Sequence, residues 1–460
     1  MKKLKLRTII GYAIGDTGGN LYFSLIGFIF IFYLTEQLGL TGTLAGTAMM
    51  IGRVWDAVTD PIISSLSDRT TSKFGRRRPY IFIGALLLTT LLIITFSLPR
   101  FESMYTTFIL STLLFCLLNT AFTMVNIPYS SLQPELSDDY NEKTKISGFR
   151  MSFAILGTIL AVLARPIVSF VGVENSGWTV MAIIMGSIML ISSWITVFSV
   201  KEDTSKVLKK QKGVMTSYKE ALTNREFIPA LLPWSLFVTG VTIIQASFLY
   251  YFKYIFHNPS MFDLSLFGLI FLSLISLPIW VKISKRLSKK SSYMIGMGIF
   301  TLGLTIIYFL APQLGPIFTL VIITISGFGF STHYIMPFSI IPDVIELDYA
   351  KTGIRREGVY YSLWNFFSKI GQAFAGLLIG ITLDIIGFIP PISESKDIII
   401  QSDKTLAGIA FLCGPIPILI ILTGIVILKW YPINRNYYKD KLLQNSLNFR
   451  TISPSELDTE

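Results

Sequence analysis

Five runs of this chain, residues 80–98, 178–200, 264–281, 294–310 and 406–428, contain no charged side chain. Each approaches or exceeds the length of about 20 apolar residues that a helix needs to cross the hydrocarbon core of a bilayer. A soluble fold would have to bury all of that surface in protein, and charged residues, only 15% of the chain, leave too little cover. Backbone polar groups in lipid must be satisfied within their own segment, so the runs read as helices. With the weaker apolar stretches between them they give twelve spans, at approximately 8–35, 42–66, 79–98, 104–130, 147–171, 178–200, 227–254, 261–283, 292–311, 315–341, 358–388 and 405–430. The expected fold is an all-α membrane protein of twelve transmembrane helices. A polar, Lys-rich stretch divides them into a six-helix bundle over 1–200, a central loop at 201–225, a second six-helix bundle over 226–430 and a tail at 431–460.

The formal charge of +11 does not point to nucleic acid, because the basic residues collect in short connections rather than on one face. The segment 68–78 holds five basic residues and one acidic, and 201–225 and 282–290 are also basic, whereas the connections after spans one, three, five and nine are nearly free of positive charge. Lys and Arg mark the cytoplasmic side, so both termini are expected in the cytoplasm of a multi-pass protein of the cell (inner) membrane. The connections after spans four and ten are mixed or acidic (Glu135, Asp138, Asp139; Asp343, Glu346, Asp348), which weakens that bias without reversing it. No cleavable leader is expected, since no small-residue cleavage site follows the basic residues 1–7. Cys116 and Cys413 lie inside apolar runs and read as packing residues. There is no phosphate-binding loop, paired-histidine metal motif or nucleophile elbow, so an enzyme is not expected. Six plus six spans around a long central loop is the plan of the major facilitator transporters, in which substrate binds between the halves near the midplane.

An ionisable side chain in a bilayer costs about 2.5 kcal/mol or more, so each one needs a partner or a water-filled cavity. The second span carries Arg53, Asp56 and Asp60 at spacings that place them on one helix face. Asp56 is about 21 Å along its span, and Lys369 about 17 Å into the eleventh span from the other side. The first span holds Asp16 and, one turn on, Asn20. Two carboxylates a turn apart supply hard oxygen ligands for a small cation, with Thr59 or Thr123 to complete the shell. Arg53 and Lys369 would balance the pair when the cation is absent, coupling its occupancy to conformation; the alternative is a purely structural salt-bridge cluster, which is a poor source of stability. Arg150 can anchor substrate or reach lipid headgroups, and Arg165 is expected to snorkel to the outer interface. His333 reads as a packed hydrogen-bonding residue rather than a proton relay. Phe122, Tyr129, Tyr334 and Trp364 can stack on a sugar ring or simply pack.

The stretch 53–61, Arg-Val-Trp-Asp-Ala-Val-Thr-Asp-Pro, followed by Ser67-Asp68-Arg69 and the basic segment 73–79, closely resembles the glycoside–pentoside–hexuronide:cation symporters, the melibiose permease family. Gly15-Asp16, Asn20-Leu21, Asn126-Ile127-Pro128-Tyr129, the segment 342–346 and Lys369-Ile370-Gly371 extend the resemblance from the first span to the eleventh. It implies Na⁺, Li⁺ or H⁺ coupling at Asp56 and Asp60, with Thr59 and Thr123 at positions beside the cation, Lys369 next to it, Arg150 near bound sugar, and no other cofactor. The chain departs from the melibiose permease where that carrier holds galactosyl hydroxyls. Asn20 and Asn126 stand in place of carboxylates, Ser130 in place of a stacking Trp and Phe122 in place of a Tyr. Asn still bonds a hydroxyl, but accepts less strongly and carries no charge. A different glycoside, a pentoside or a uronide thus becomes the expected cargo. A more distant branch that moves lysophospholipids with Na⁺ shares Trp-Asp-Ala-Val-Thr-Asp-Pro and a Pro-Tyr-Ser after the fourth span, which makes an amphiphile the alternative. A non-transporting membrane sensor is a more remote one. The expected partners are a small solute, a coupling cation and the lipid bilayer, with one chain sufficient to function.

Overall fold

The computed structural model describes residues 5–433 and 437, apart from 71, 137–139, 173–174, 201, 203–213, 353–355, 392–399 and 434–436. Most of the central loop expected at 201–225, Asp138 and Asp139, and nearly all of the tail expected at 431–460 lie outside the described residues.

Every expected span is helical. The first runs over 6–37, and the next three are Gly42–Arg69, Arg78–Phe96 and Met104–Leu136. The fifth consists of Tyr140–Val162 and Ala164–Val171, and the sixth is Asn175–Ser199. The break in the fifth at Leu163 has a simple cause: Pro166 has no N–H for the Val162 carbonyl. The seventh covers 228–255 and the eighth Ser260–Leu287. The ninth and tenth occupy Lys289–Phe330 and Thr332–Thr352, and reverse direction at Gly315, whose φ of 82° and ψ of −173° suit glycine, between Pro312 and Pro316. The eleventh is Glu357–Ile385, and the twelfth pairs Asp403–Cys413 with Pro415–Leu428.

The spans pack as two six-helix groups. In the first, span one lies on five and six, three on four and six, and two on four. In the second, span seven lies on eleven and twelve, and eight against the ninth and tenth. Among the described residues the main seams between the groups are two with eleven, one with seven, and five with eight. This is the two-bundle major facilitator plan expected from the sequence.

The seam between spans two and eleven is the closest. Gly42 and Gly46 face Gly376 and Gly380; a methyl group added at Gly46 would lie 2.6 Å from the Gly376 carbonyl oxygen. Small residues four apart let two backbones approach where lipid supplies no hydrophobic drive. At the end of the molecule opposite residue 6, which we call the far end, this seam is tied by Asp384, which accepts from the backbone N–H groups of Gly42 (2.7 Å) and Thr43 (2.8 Å).

Spans one and seven meet at the same far end through matching π-helical turns, Tyr33–Gln37 and Tyr251–Ile255. These wider turns bring Glu36 onto Lys253 and onto the Tyr254 hydroxyl (2.5 Å), and Thr35 onto the Tyr250 hydroxyl (2.5 Å). Span five joins span eight through Arg165 and Asp263. Arg165 was expected to snorkel to the outer interface; it is paired there with the partly buried Asp263 at the start of span eight.

Candidate functional site

Below the glycine crossing, the second and eleventh spans bring three ionisable groups together. Lys369 Nζ lies 2.5 Å from Asp60 Oδ2 as a hydrogen bond and 2.8 Å from Asp56 Oδ2 without hydrogen-bond alignment. The Thr123 hydroxyl of span four is 2.9 Å from Asp56 Oδ1 and 3.1 Å from Asp60 Oδ1. One hydroxyl has one proton, so it donates to only one carboxylate at a time. Asp56 is 1% exposed, and Asp60 is less enclosed. Two carboxylates therefore share one ammonium and one hydroxyl, leaving this cluster with one negative charge in excess. Pro61 adds a further oxygen: lacking an N–H, it leaves the Ala57 carbonyl without its helical donor, in the turn between the two acids. The donor set is hard and oxygen-rich, suited to Na⁺, Li⁺ or a proton.

Thr59 is placed differently from Thr123. Its hydroxyl donates to the Asp56 backbone carbonyl at 3.1 Å, the usual alternative for a helical Thr. Arg53 does not join the acids either. Its guanidinium lies between the Phe23 and Phe115 rings, 5.7 and 6.0 Å from their centroids.

A second polar cluster sits within the first bundle. Arg150 holds Asp16 through Nε and Nη2 (3.1 Å for the latter), while the Tyr129 hydroxyl donates to the same carboxylate at 2.7 Å. The Gln133 side chain accepts from Arg150 Nη1, and the Tyr129 ring lies 4.9 Å from the guanidinium carbon. Tyr129 itself stacks on Tyr12 at 4.7 Å. Asn20 donates to the Asp16 carbonyl at 3.1 Å, and Asn126 faces Gly19 across the same wall, 3.9 Å from where a β-carbon would be. The side-chain oxygen of Asn20 and the amide of Asn126 have no partner among the described residues, so hydroxyls can meet them.

The remaining candidates are dispersed. Phe122 is buried against Tyr22 (4.4 Å), and Ser130 is exposed at the end of span four. Trp364 stacks on Trp234 at 5.3 Å, and Trp234 on His333 at 4.7 Å. Trp364 Nε1, Trp234 Nε1 and His333 Nδ1 are all buried without hydrogen-bond partners, so His333 packs but does not bond through Nδ1. Tyr334 packs on Phe330 and lines a small cleft between the bundles with Ile155 and Ser273. Cys116 and Cys413 are free.

Sequence reasoning missed Gln133, which lies beyond the apolar run, and the pair Glu36–Lys253. It also missed the two Gly-x-x-x-Gly pairs, 42/46 and 376/380, a signal that was present.

A family model described as "MFS/sugar transport protein" matches residues 11–435. An uncharacterised symporter of Synechocystis is 28% identical, covering 95% of this chain and 96% of its own length. The isoprimeverose transporter of Lactiplantibacillus pentosus is 26% identical over 84% of this chain and 81% of its own. Among solved structures, a bacterial homologue of the human lysosomal transporter Spinster, inward-facing and unoccupied, superposes with a TM-score of 0.66 at 12% identity, covering 96% of this chain and 99% of that one. The chain belongs to the MFS/sugar transport protein family, membrane transporters rather than enzymes, and to its glycoside–pentoside–hexuronide:cation symporter-like part.

Proposed function

We propose that this protein is a secondary active symporter that couples entry of Na⁺ or H⁺ to uptake of a sugar-like solute by alternating access. The observation that carries the reading is the shared ammonium: Lys369, from one bundle, neutralises only half of the charge on Asp56 and Asp60, from the other. A cation entering between the carboxylates competes directly with the ammonium. Each displacement loosens a tie between the bundles, so cation occupancy alters the free energy of rocking. The solute site on this reading is the wall formed by Asn20 and Asn126, with Asp16 and Arg150 as its charged base. Relatives named as symporters and as an isoprimeverose transporter favour this class.

An amphiphile would be favoured by a path lined by Phe. Phe122 is instead enclosed against Tyr22, while Asn20 and Asn126 keep polar atoms open to a hydroxyl, which favours hydroxylated cargo. We further propose that the basic segment 73–78 faces the cytoplasm with both termini, that residues 1–200 and 226–430 are the moving units, and that one chain suffices. The experiment is uptake of labelled glycosides, pentosides and uronides into proteoliposomes. Accumulation driven by an inward Na⁺ or H⁺ gradient and abolished by an ionophore is expected; equilibration that ignores both gradients would refute symport.

A further inference from the structure

The first and sixth spans leave a groove of about 590 Å³ between them, on the outside of the first bundle and at the end of the molecule that carries residue 6. Its two parts differ in chemistry. Arg7, Thr8 and Ser199 form a polar rim, and Ile191, Trp194, Ile195 and Phe198 form an apolar bed. The bed runs from the rim towards the membrane interior: residues 191, 195 and 198 share one stripe of span six, about 12 Å long as far as Ser199. One leaflet offers about 15 Å of hydrocarbon. Phe198 is 69% exposed and Ile191 56%, so the stripe faces lipid. The bed is also preformed. The Trp194 ring stacks on Phe82 of span three at 4.7 Å, its indole N–H donates to the Phe82 carbonyl at 3.3 Å, and Phe198 rests edge-on against the same Phe82 ring. Gly11 packs directly on Ser199, which fixes the two spans at the rim.

The rim carries a cation that nothing neutralises. Arg7 is exposed and forms no ion pair among the described residues, and the Thr8 and Ser199 hydroxyls have no partner there either. The charge does nothing for its own helix. Arg7 lies in the first turn of Leu6–Ala13, where the macrodipole disfavours a cation. The neighbouring sequence offers no counter-ion. Residues 1–7 hold four basic side chains and no acid, and 203–213 holds four lysines against Asp203. Glu202 is committed to the backbone N–H groups of Arg76, Arg77 and Arg78. The anion for Arg7 therefore comes from outside the chain, and at the polar edge of a bilayer that anion is a phosphodiester.

We propose that this groove binds an anionic phospholipid, with its phosphodiester on the Arg7 guanidinium and one acyl chain along the span-six stripe. The Thr8 and Ser199 hydroxyls supply further donors, and the guanidinium fork matches two phosphate oxygens. The surplus of basic residues at 1–7 repels the ammonium of a zwitterionic headgroup and attracts a headgroup with net negative charge. The site is separate from the path between the bundles. Lipid held there grips spans one and six together and so stabilises the bundle that carries Asp16 and Asn20.

The test is thermal stabilisation of the delipidated full-length chain in detergent micelles. It is titrated with phosphatidylglycerol, with phosphatidylcholine of the same acyl chains, and with inorganic phosphate. The wild-type protein is expected to take the anionic lipid at least about tenfold more tightly than the zwitterionic one, the worth of one charge-assisted contact, and to ignore inorganic phosphate at the same concentrations. Arg7→Gln brings the ratio to about one, whereas Arg7→Lys keeps part of the preference. Phe198→Ala weakens both lipids severalfold and leaves their ratio unchanged. Lys285→Gln, which removes an exposed cation from the second bundle, alters neither. Arg7 and Phe198 are exposed, so these variants keep the fold. Equal affinity of the wild type for the two lipids, an undiminished preference in Arg7→Gln, or the same loss of preference in Lys285→Gln would each overturn the assignment. A response to inorganic phosphate equal to that for the lipid, or unchanged lipid affinity in Phe198→Ala, would overturn it as well, by removing the acyl chain from the site.

Discussion

Two of the acid–base clusters among the described residues are built on opposite terms. Asp16 and Arg150 match one acid to one base within a single bundle, and two guanidinium nitrogens and the Tyr129 hydroxyl converge on one carboxylate. Asp56, Asp60 and Lys369 set two acids against one base across two bundles, with one hydroxyl divided between the acids. The first arrangement is closed, because adding a cation would only compete with a complete bidentate bond. The second is open, because one of its two negative charges is left without a bonded partner. A saturated pair holds a wall in place, and an under-neutralised pair spanning two moving bodies responds to ions.

The widest separation between the clusters is expected in stability. Asp16→Asn strands a buried guanidinium, and the cost of breaking such a pair is about 3 kcal/mol, visible as a lowered melting temperature that Arg150→Gln in the same chain largely restores. Asp60→Asn leaves Lys369 with Asp56 as partner and relieves acid–acid repulsion, so its melting temperature in cation-free buffer stays level or rises. Equal losses in the two single variants would erase the distinction. A smaller effect is expected at the crossing that aligns the open cluster. Gly46→Leu forces a side chain against the Gly376 carbonyl and should cost about 1–3 kcal/mol, with a weakened response to cation because Lys369 is drawn back from the acids. Thr123→Ala removes one hydroxyl from the pair and should weaken apparent cation affinity by roughly fivefold, about one hydrogen bond, whereas Thr59→Ala should change it little.

The contrast between those two threonines indicates how much of the site was legible beforehand. Asp56, Asp60 and Lys369 stood out because a charge inside an apolar run demands an explanation, and helical spacing put the two acids on one face. The same spacing put Arg53 on that face, yet the guanidinium folds into an aromatic slot instead of reaching the acids, since a long side chain can leave its wheel position. Thr59 is adjacent in sequence but has its own helix carbonyl in reach; Thr123, on another span, has the carboxylates. Which hydroxyl wins is a matter of rotamer and packing that periodicity does not carry. Asp16 was visible as an anomalous charge, but its partner Arg150 lies 134 residues away and was read as a separate anchor. The twelve spans themselves were readable, because bilayer thickness constrains helix length more tightly than any soluble core does, but the fourth and tenth run on to Leu136 and Thr352, past their expected ends at 130 and 341. The two glycine pairs were readable as well, but their meaning depends on spans two and eleven crossing, which is a tertiary fact.

The central claim is that the open cluster is where ion energy enters the transport cycle. The most direct test is concentrative uptake by proteoliposomes carrying Asp56→Cys or Asp60→Cys, with insertion verified by recovery of folded protein in the membrane. Loss of gradient-driven accumulation in both variants, with insertion intact, is the predicted result. Full accumulation in either one would contradict the account.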